Sequence, residues 1–140
     1  MKNSLNEPAV QSQIALYQNL IGRMSTLSGG VKMLGATVVG LVAVLGNGNL
    51  AQAAALSVFI FTVGFLDAYY LGKERVFRRF YDRFVKDLHE GKDITASLFV
   101  IEKPELKFAG LMKALASPSV WIFYLALILL TCVISVYGVC

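Results

Sequence analysis

One acidic residue in a long apolar stretch is the first candidate for chemistry in this sequence. Asp67 is the only charged residue between Lys32 and Lys73. In a helix that crosses a membrane, such a carboxylate either transfers protons or ions or pairs with a cation, because an isolated charge is costly there. At 1.5 Å per residue, Asp67 lies about 9 Å from Lys73 along a helix. We favour pairing with Lys32 or Arg23 at headgroup depth, with an ion pathway as the alternative.

The usual catalytic and metal-binding patterns do not occur in the sequence. There is no glycine-rich phosphate loop followed by Lys and Ser or Thr, and no His-Glu-x-x-His motif. The single histidine, His89, ends a charged segment, where a cation suits the helix dipole. The serines and threonines have no partners that would activate a nucleophile. Cys132 and Cys140 lack metal-ligand spacing. We therefore expect no enzyme activity, catalytic residue, cofactor or metal.

A basic segment rich in aromatic residues begins at Lys73. It offers three interpretations: it lies on anionic lipids, packs its phenylalanines against another helix, or binds a phosphate-rich ligand or nucleic acid through its arginines. Seven acidic residues between Lys73 and Lys113 make nucleic acid the least favoured partner. We favour packing within the chain or between subunits. The candidate interaction residues of this segment are Phe77, Arg78, Arg79, Phe80, Arg83 and Phe84.

Long apolar helices are expected to position these residues. Hydrophobic residues make up 56% of the chain, and its mean hydropathy is +0.64. No charged residue occurs from Met33 to Leu66 or from Ala114 to Cys140. A membrane-spanning helix needs about 20 apolar residues to cross about 30 Å of hydrocarbon. The first stretch is long enough for two spans, so the sequence predicts an all-α integral membrane protein with three transmembrane helices and amphipathic cytoplasmic helices.

The predicted segments follow one another without a separate soluble domain. They are an amphipathic helix over residues 6–27, a first span over 28–47, a second span over 53–72 that continues to 90 as a cytoplasmic helix, a cytoplasmic loop or interfacial segment over 91–117, and a third span over 119–139. Asn6 is the expected cap of the first helix. Asn and Gly residues at 46–49 predict a tight turn between the first two spans.

The first span is the shortest by strictly apolar length. Met33 to Leu45 is thirteen residues, which also suits a re-entrant segment. We favour a full span in which Lys32 extends to the headgroups. Its Gly35, Ala36 and Gly40 either form a small-residue surface for another helix or reflect the abundance of Gly and Ala in membrane helices.

The distribution of positive charge predicts the orientation. Ten of the thirteen Lys and Arg residues lie between Lys73 and Lys113, and the others are Lys2, Arg23 and Lys32. In a three-span arrangement all thirteen fall on one side. Since Lys and Arg in short loops stay on the cytoplasmic side, we predict a cytoplasmic N-terminus and an external C-terminus.

One motif carries a resemblance to a known family. The stretch from Phe65 to Tyr81, FLDAYYLGKERVFRRFY, together with the IFYL sequence at 122–125, resembles short bacterial membrane proteins similar to SLATT-type two-span effector modules. Such modules accompany nucleotide-second-messenger synthases and sensors in bacterial conflict systems, and are proposed to oligomerise and breach the inner membrane. The resemblance implies location in the bacterial inner membrane and a trigger from another protein or from the cytoplasmic helices. This chain departs from the pattern in its third span and its lack of a fused nucleotide-sensing domain.

Three functions follow as expectations. The leading one is a small non-enzymatic membrane protein that oligomerises and forms pores in, or disrupts, the inner membrane as a defence effector. The second is a structural or regulatory anchor that holds a soluble partner through the phenylalanine face. The third is a small ion channel or transporter that uses Asp67. The expected partners are the lipid bilayer, further copies of the chain, and a cytoplasmic protein or nucleotide-signalling partner; nucleic acid is not expected.

Overall fold

The computed structural model of the chain describes residues 7–46, 49–94, 98–100 and 105–137. Within these ranges the chain is 87% helical and contains no strand, which confirms the all-α prediction. The elements are α1 (Pro8–Leu45), α2 (Leu50–His89), α3 (Phe108–Leu115) and α4 (Pro118–Tyr137). The predicted cap Asn6, the centre of the predicted turn at residues 47–48, and Cys140 lie outside the described residues.

Three of these helices, α1, α2 and α4, are long and apolar enough to cross a membrane, which is consistent with a multi-pass membrane protein. With 38 and 40 residues, α1 and α2 are about 57 and 60 Å long, roughly twice the hydrocarbon thickness. Each therefore divides into two parts. We call α4 with residues 28–45 and 50–72 the apolar half, and residues 8–27 and 73–89 the polar half.

The helix α1 is continuous across the two segments that the sequence divided into an amphipathic helix and a first span. Pro8 occupies its first turn, where a missing N–H leaves no backbone bond unmade. Gly29 and Gly30 lie within the helix, and a Cβ at either would meet nothing within 4 Å. At the other end of the hairpin, the Asn49 side chain caps α2 by accepting a hydrogen bond from the Gln52 N–H at 2.8 Å.

A core of aliphatic side chains holds the apolar half together. The buried members come from α1, α2, α3 and α4 and include Val39, Leu56, Ile60, Val63, Ala114 and Leu127. The outward faces are also apolar: Val44 is 81% exposed, Leu50 84% and Trp121 60%. Exposed apolar side chains in this number are costly in water, so these faces suit contact with lipid or with other protein helices.

A second core joins the start of α1 to the end of α2, so the two helices form an antiparallel hairpin. The rings of Tyr17 and Phe84 have their centroids 5.9 Å apart. Around them lie the buried residues Val10, Leu88 and Ile94, with Ile14, Phe80, Tyr81 and Leu98 packed alongside. The polar half is thus a packed unit and not a single projecting helix.

Gln13 is a polar residue within this second core. It is fully buried, and its side-chain carbonyl accepts a hydrogen bond from the backbone N–H of Phe99 at 2.8 Å. Gln13 is three residues from Val10 and four from Tyr17, so it shares the core face of the helix. Its hydrogen bond holds the segment at 98–100 against α1, where Phe99 has a positive φ of 60°.

The end of α2 is stabilised by a glycine and a small charge cluster. Gly91 follows the helix with a φ of 68°, the left-handed conformation that glycine adopts without a Cβ penalty. The Lys92 ammonium donates to Asp87 at 2.7 Å and lies 2.8 Å from Glu90. These contacts raise the pKa of Lys92 above its ordinary value, chiefly through the Asp87 hydrogen bond, and Lys92 in turn lowers the pKa of Glu90.

Candidate functional site

A buried ion pair joins α1 to α2 inside the apolar half. The ammonium nitrogen of Lys32 lies 2.6 Å from Oδ2 of Asp67. The Asp67 side chain has no exposed surface, and that of Lys32 is 20% exposed. The Lys32 side chain therefore turns inward to the carboxylate, and the pairing considered from the sequence is the arrangement that the structure adopts. Of the two candidate partners for Asp67, the structure places Lys32 in contact with it.

Ser28 completes the polar contacts on the α1 side. Its hydroxyl donates a short hydrogen bond to Oδ1 of Asp67 and accepts one from the Lys32 ammonium at 3.1 Å. Ser28 and Lys32 are four residues apart, so they lie one above the other on the same face of α1. Both oxygens of the Asp67 carboxylate therefore have a polar contact on α1.

A third helix contributes Tyr124, which is buried against α1 and α2. Its hydroxyl has no aligned hydrogen bond among the described residues but lies close enough to interact with the Asp67 carboxylate. The ring packs closely on Gly64, whereas a Cβ on Gly35 would reach only ordinary van der Waals distance from it. A Cβ on Gly64 would lie 3.3 Å from Cγ of Tyr124, and a Cβ on Gly35 would lie 3.9 Å from Cε1. Ser28, Lys32, Asp67 and Tyr124 together form what we call the buried polar cluster.

The cluster lies near one end of the apolar half. Asp67 is six residues before Lys73, and Tyr124 is six residues after Pro118, where α4 begins. Six residues correspond to about 9 Å along a helix. Two independent helices thus place the cluster at the same level, close to the polar half.

The arrangement of charge determines what the cluster can do. While Lys32 is in place, its ammonium group offsets the charge of the Asp67 carboxylate. Removing one partner of a buried ion pair typically costs about 3–5 kcal/mol, because the other charge is left uncompensated. Each partner therefore depends on the other, and loss of either one destabilises the packed α1–α2–α4 arrangement. The cluster would expose one acid, one cation and two hydroxyl groups if these helices separated.

The three small residues of the first span do not form one surface. Gly35 is buried and faces Val63, Leu127 and Tyr124. Ala36 and Gly40 are exposed, and a Cβ on Gly40 would meet nothing within 4 Å. The reason is the helical period, which places residues 36 and 40 on one face and residue 35 about 100° away. Gly35 thus serves packing within the chain, and Ala36 and Gly40 lie on an outward face.

The candidate residues of the basic segment also separate by face. Phe77 and Phe84 are buried, and Phe80 is half-buried against the core of the polar half. Arg78 pairs with the buried Glu74, with its Nη2 2.7 Å from Oε1. The remaining two, Arg79 and Arg83, are exposed and line a cavity beside α3. The contacts of the phenylalanines are those of packing within the chain.

Sequence reasoning identified Asp67 and Lys32 but missed three residues of this site. Ser28 carried one usable signal, its position four residues before Lys32 on the same helical face. Gly64 and Tyr124 carried none, because their contact depends on how α4 crosses α2. Tyr124 is buried, whereas Trp121, three residues earlier on the same helix, is exposed.

The other chemistry-bearing residues do not form a site among the described ranges. The ring nitrogen Nδ1 of His89 lies 2.8 Å from the carbonyl oxygen of Val85, and Cys132 is an exposed free thiol. Within those ranges, no group of three or more His, Cys, Asp or Glu residues is arranged to hold a metal ion. The chain matches no protein-family model, no curated protein and no solved structure.

Proposed function

We propose that this protein is a non-enzymatic effector of the bacterial inner membrane that self-associates and permeabilises the membrane when triggered. The observation that carries the proposal is the buried pair between Lys32 and Asp67. Apolar side chains alone could pack these three helices, and a buried pair brings a large desolvation cost. A charge pair favours a structure whose helices must separate, because water can hydrate both charged groups once the helices are apart. In this proposal the intact pair defines the closed form.

Permeabilisation requires several copies of the chain. Aliphatic core residues and Tyr124 pack between α1, α2 and α4, so we expect a water-filled path to form between copies and not within one copy. The outward face that contains Ala36 and Gly40 allows close approach of a second helix. The resemblance of residues 65–81 to SLATT-type modules supports the same assembly.

The proposed orientation follows from charge. The polar half, with α3, contains most of the cationic residues, and the turn between α1 and α2 contains none. The positive-inside rule then places the polar half in the cytoplasm and the C-terminus outside. A cytoplasmic protein or a nucleotide-signalling partner would act on the polar half.

Membrane potential tests the proposal directly. In cells that express Lys32→Met or Asp67→Asn, a potential-sensitive dye should report depolarisation without any trigger, because the closed form has lost its pair. The exchange Lys32→Asp with Asp67→Lys should restore much of the potential. Thr62→Asn, a polar change at an exposed position of α2, is the matched control and should have no effect. Unchanged potential in both pair variants, at normal membrane levels, would exclude the effector role.

The buried Asp67 also favours a second candidate, a small ion channel or transporter. A carboxylate beside the hydroxyls of Ser28 and Tyr124 is a plausible proton or cation site once Lys32 moves away. The two candidates predict opposite results for Asp67→Asn in proteoliposomes. If the protein is an effector, the variant should leak more than the wild type. If it is a transporter, the variant should lose its flux.

The anchor function has less support, since Phe77 and Phe84 are buried within the chain.

A further inference from the structure

A basic cavity separates α2 from α3 on the polar side of the bundle. Its volume is about 570 Å³. Among the described residues, four cationic side chains and one carboxylate, that of Glu105, line it. The cationic residues are Arg79, Arg83, Lys107 and Lys113. None of these residues belongs to the buried polar cluster, so the cavity is a separate feature of the molecule.

The helices bring these charges together in a fixed way. Arg79 and Arg83 are four residues apart and share one face of α2. Arg75 lies one turn earlier on α2 and contacts the C-terminal end of α3. It donates to the Lys113 carbonyl at 3.2 Å and to the Ser117 hydroxyl at 2.8 Å. These hydrogen bonds hold the corner between α3 and α4 against α2.

The cavity carries uncompensated positive charge. Some cations elsewhere in the described residues have close acidic partners, as Arg78 has in Glu74 and Lys92 in Asp87. Among the described residues, Arg83, Lys107 and Lys113 have no ion pair, although they lie around one cavity. Like charges gathered in this way repel one another unless an anion lies between them.

The first turn of α3 adds to this field. Lys107 is the residue that precedes the helix, and it forms no side-chain cap; the first turn contains no acidic residue. Lys107 and Ala109 both line the cavity, so this end of the helix lies at its wall. A helix N-terminus carries a partial positive charge and binds phosphate and other anions.

We propose that this cavity binds a phosphate group in a molecule with a net negative charge, in contrast to a zwitterionic headgroup whose own cation offsets the phosphate. Such a group belongs either to an anionic phospholipid or to a soluble phosphate ester. The position of the cavity favours the lipid, because α4 begins at Pro118, directly after the corner that Arg75 holds. Basic pockets beside membrane helices bind anionic headgroups in this way. The site is independent of the proposed permeabilising activity.

Binding to the purified full chain in detergent provides the test. One arm uses native mass spectrometry with phosphatidylglycerol, compared with phosphatidylcholine of the same acyl chains. The other arm measures binding of ATP and of inorganic phosphate by equilibrium dialysis. Retention of phosphatidylglycerol over phosphatidylcholine identifies a lipid headgroup as the ligand, and binding of ATP or phosphate identifies a soluble ester. If no anionic probe binds in either arm, the proposal is overturned.

Charge variants locate the site. The double substitution Arg83→Gln with Lys113→Gln should weaken binding by at least about tenfold, since a charge-assisted hydrogen bond contributes more than a tenfold factor. Glu105→Gln removes the one carboxylate that lines the cavity within the described part of the chain and should strengthen binding, which an unfolded variant could not do. The matched control is Arg23→Gln, an exposed cation on α1 away from the cavity. Equal weakening by Arg23→Gln would overturn the assignment, because binding would then reflect net charge alone.

Discussion

The aromatic ring of Tyr124 lies directly on Gly64, where a Cβ would be 3.3 to 3.5 Å from three ring atoms. A methyl group at this position must displace either the ring or the helix. We expect Gly64→Ala to lower the free energy of unfolding by about 1–3 kcal/mol, the usual cost of overpacking. Unfolding of the purified protein in detergent, followed by circular dichroism, measures this change.

Gly40→Ala is the control for that substitution. It adds the same methyl group to a membrane-length helix, but nothing lies within 4 Å of the new atom. Its stability in detergent should equal or exceed that of the wild type, because alanine favours the helix by up to about 1 kcal/mol. Equal destabilisation by both substitutions would contradict the close contact between Gly64 and Tyr124.

Loss of one partner from the buried ion pair should destabilise the hairpin more than loss of both. Lys32→Met leaves the Asp67 carboxylate buried without its cation, at a cost of about 3–5 kcal/mol. The double variant Lys32→Met with Asp67→Leu removes both charges and should recover most of that loss. A double-mutant cycle on unfolding in detergent measures the coupling between the two residues. Additive effects would show that the residues do not interact.

Removal of the aromatic contact in the polar half should lower the local stability of that half and leave the apolar half unchanged. Phe84→Ala deletes the ring that packs on Tyr17, and large core truncations of this kind cost about 3–5 kcal/mol. Hydrogen exchange should increase in residues 8–20 and change little in residues 50–66. The matched control is Phe61→Ala, because Phe61 is 69% exposed. Increased exchange throughout the chain would refute two separately packed halves.

Cysteine labelling tests the proposed orientation. In a variant with Cys132 and Cys140 replaced by Ser, we expect Ala51→Cys to react with an impermeant maleimide added to intact spheroplasts. Asp82→Cys should react only after the membrane is permeabilised. Both positions are exposed in the structure, so lack of reaction reflects the membrane and not burial. The reverse labelling pattern would place the polar half outside.

The sequence predicted the long elements because their signal is local. Charge-free runs determined three helices of spanning length, and the pairing of Asp67 with Lys32 was among the alternatives because both charges border the same apolar stretch. The roles of Gln13 and Tyr124 depend on contacts with Phe99 and Gly64, which are distant in sequence. Periodicity identifies the faces of a helix but does not identify which face another element will cover.

The helix α2 is unbroken from the apolar half to the polar half. Asp67 and Arg83 lie on the same helix about 24 Å apart, with no proline between them. The one intervening glycine, Gly72, is covered by Leu106, whose Cδ1 would be 2.9 Å from an added Cβ. A continuous hydrogen-bonded helix turns about its axis as a single body. A ligand that moved Arg83 would therefore move the same continuous helix that positions Asp67.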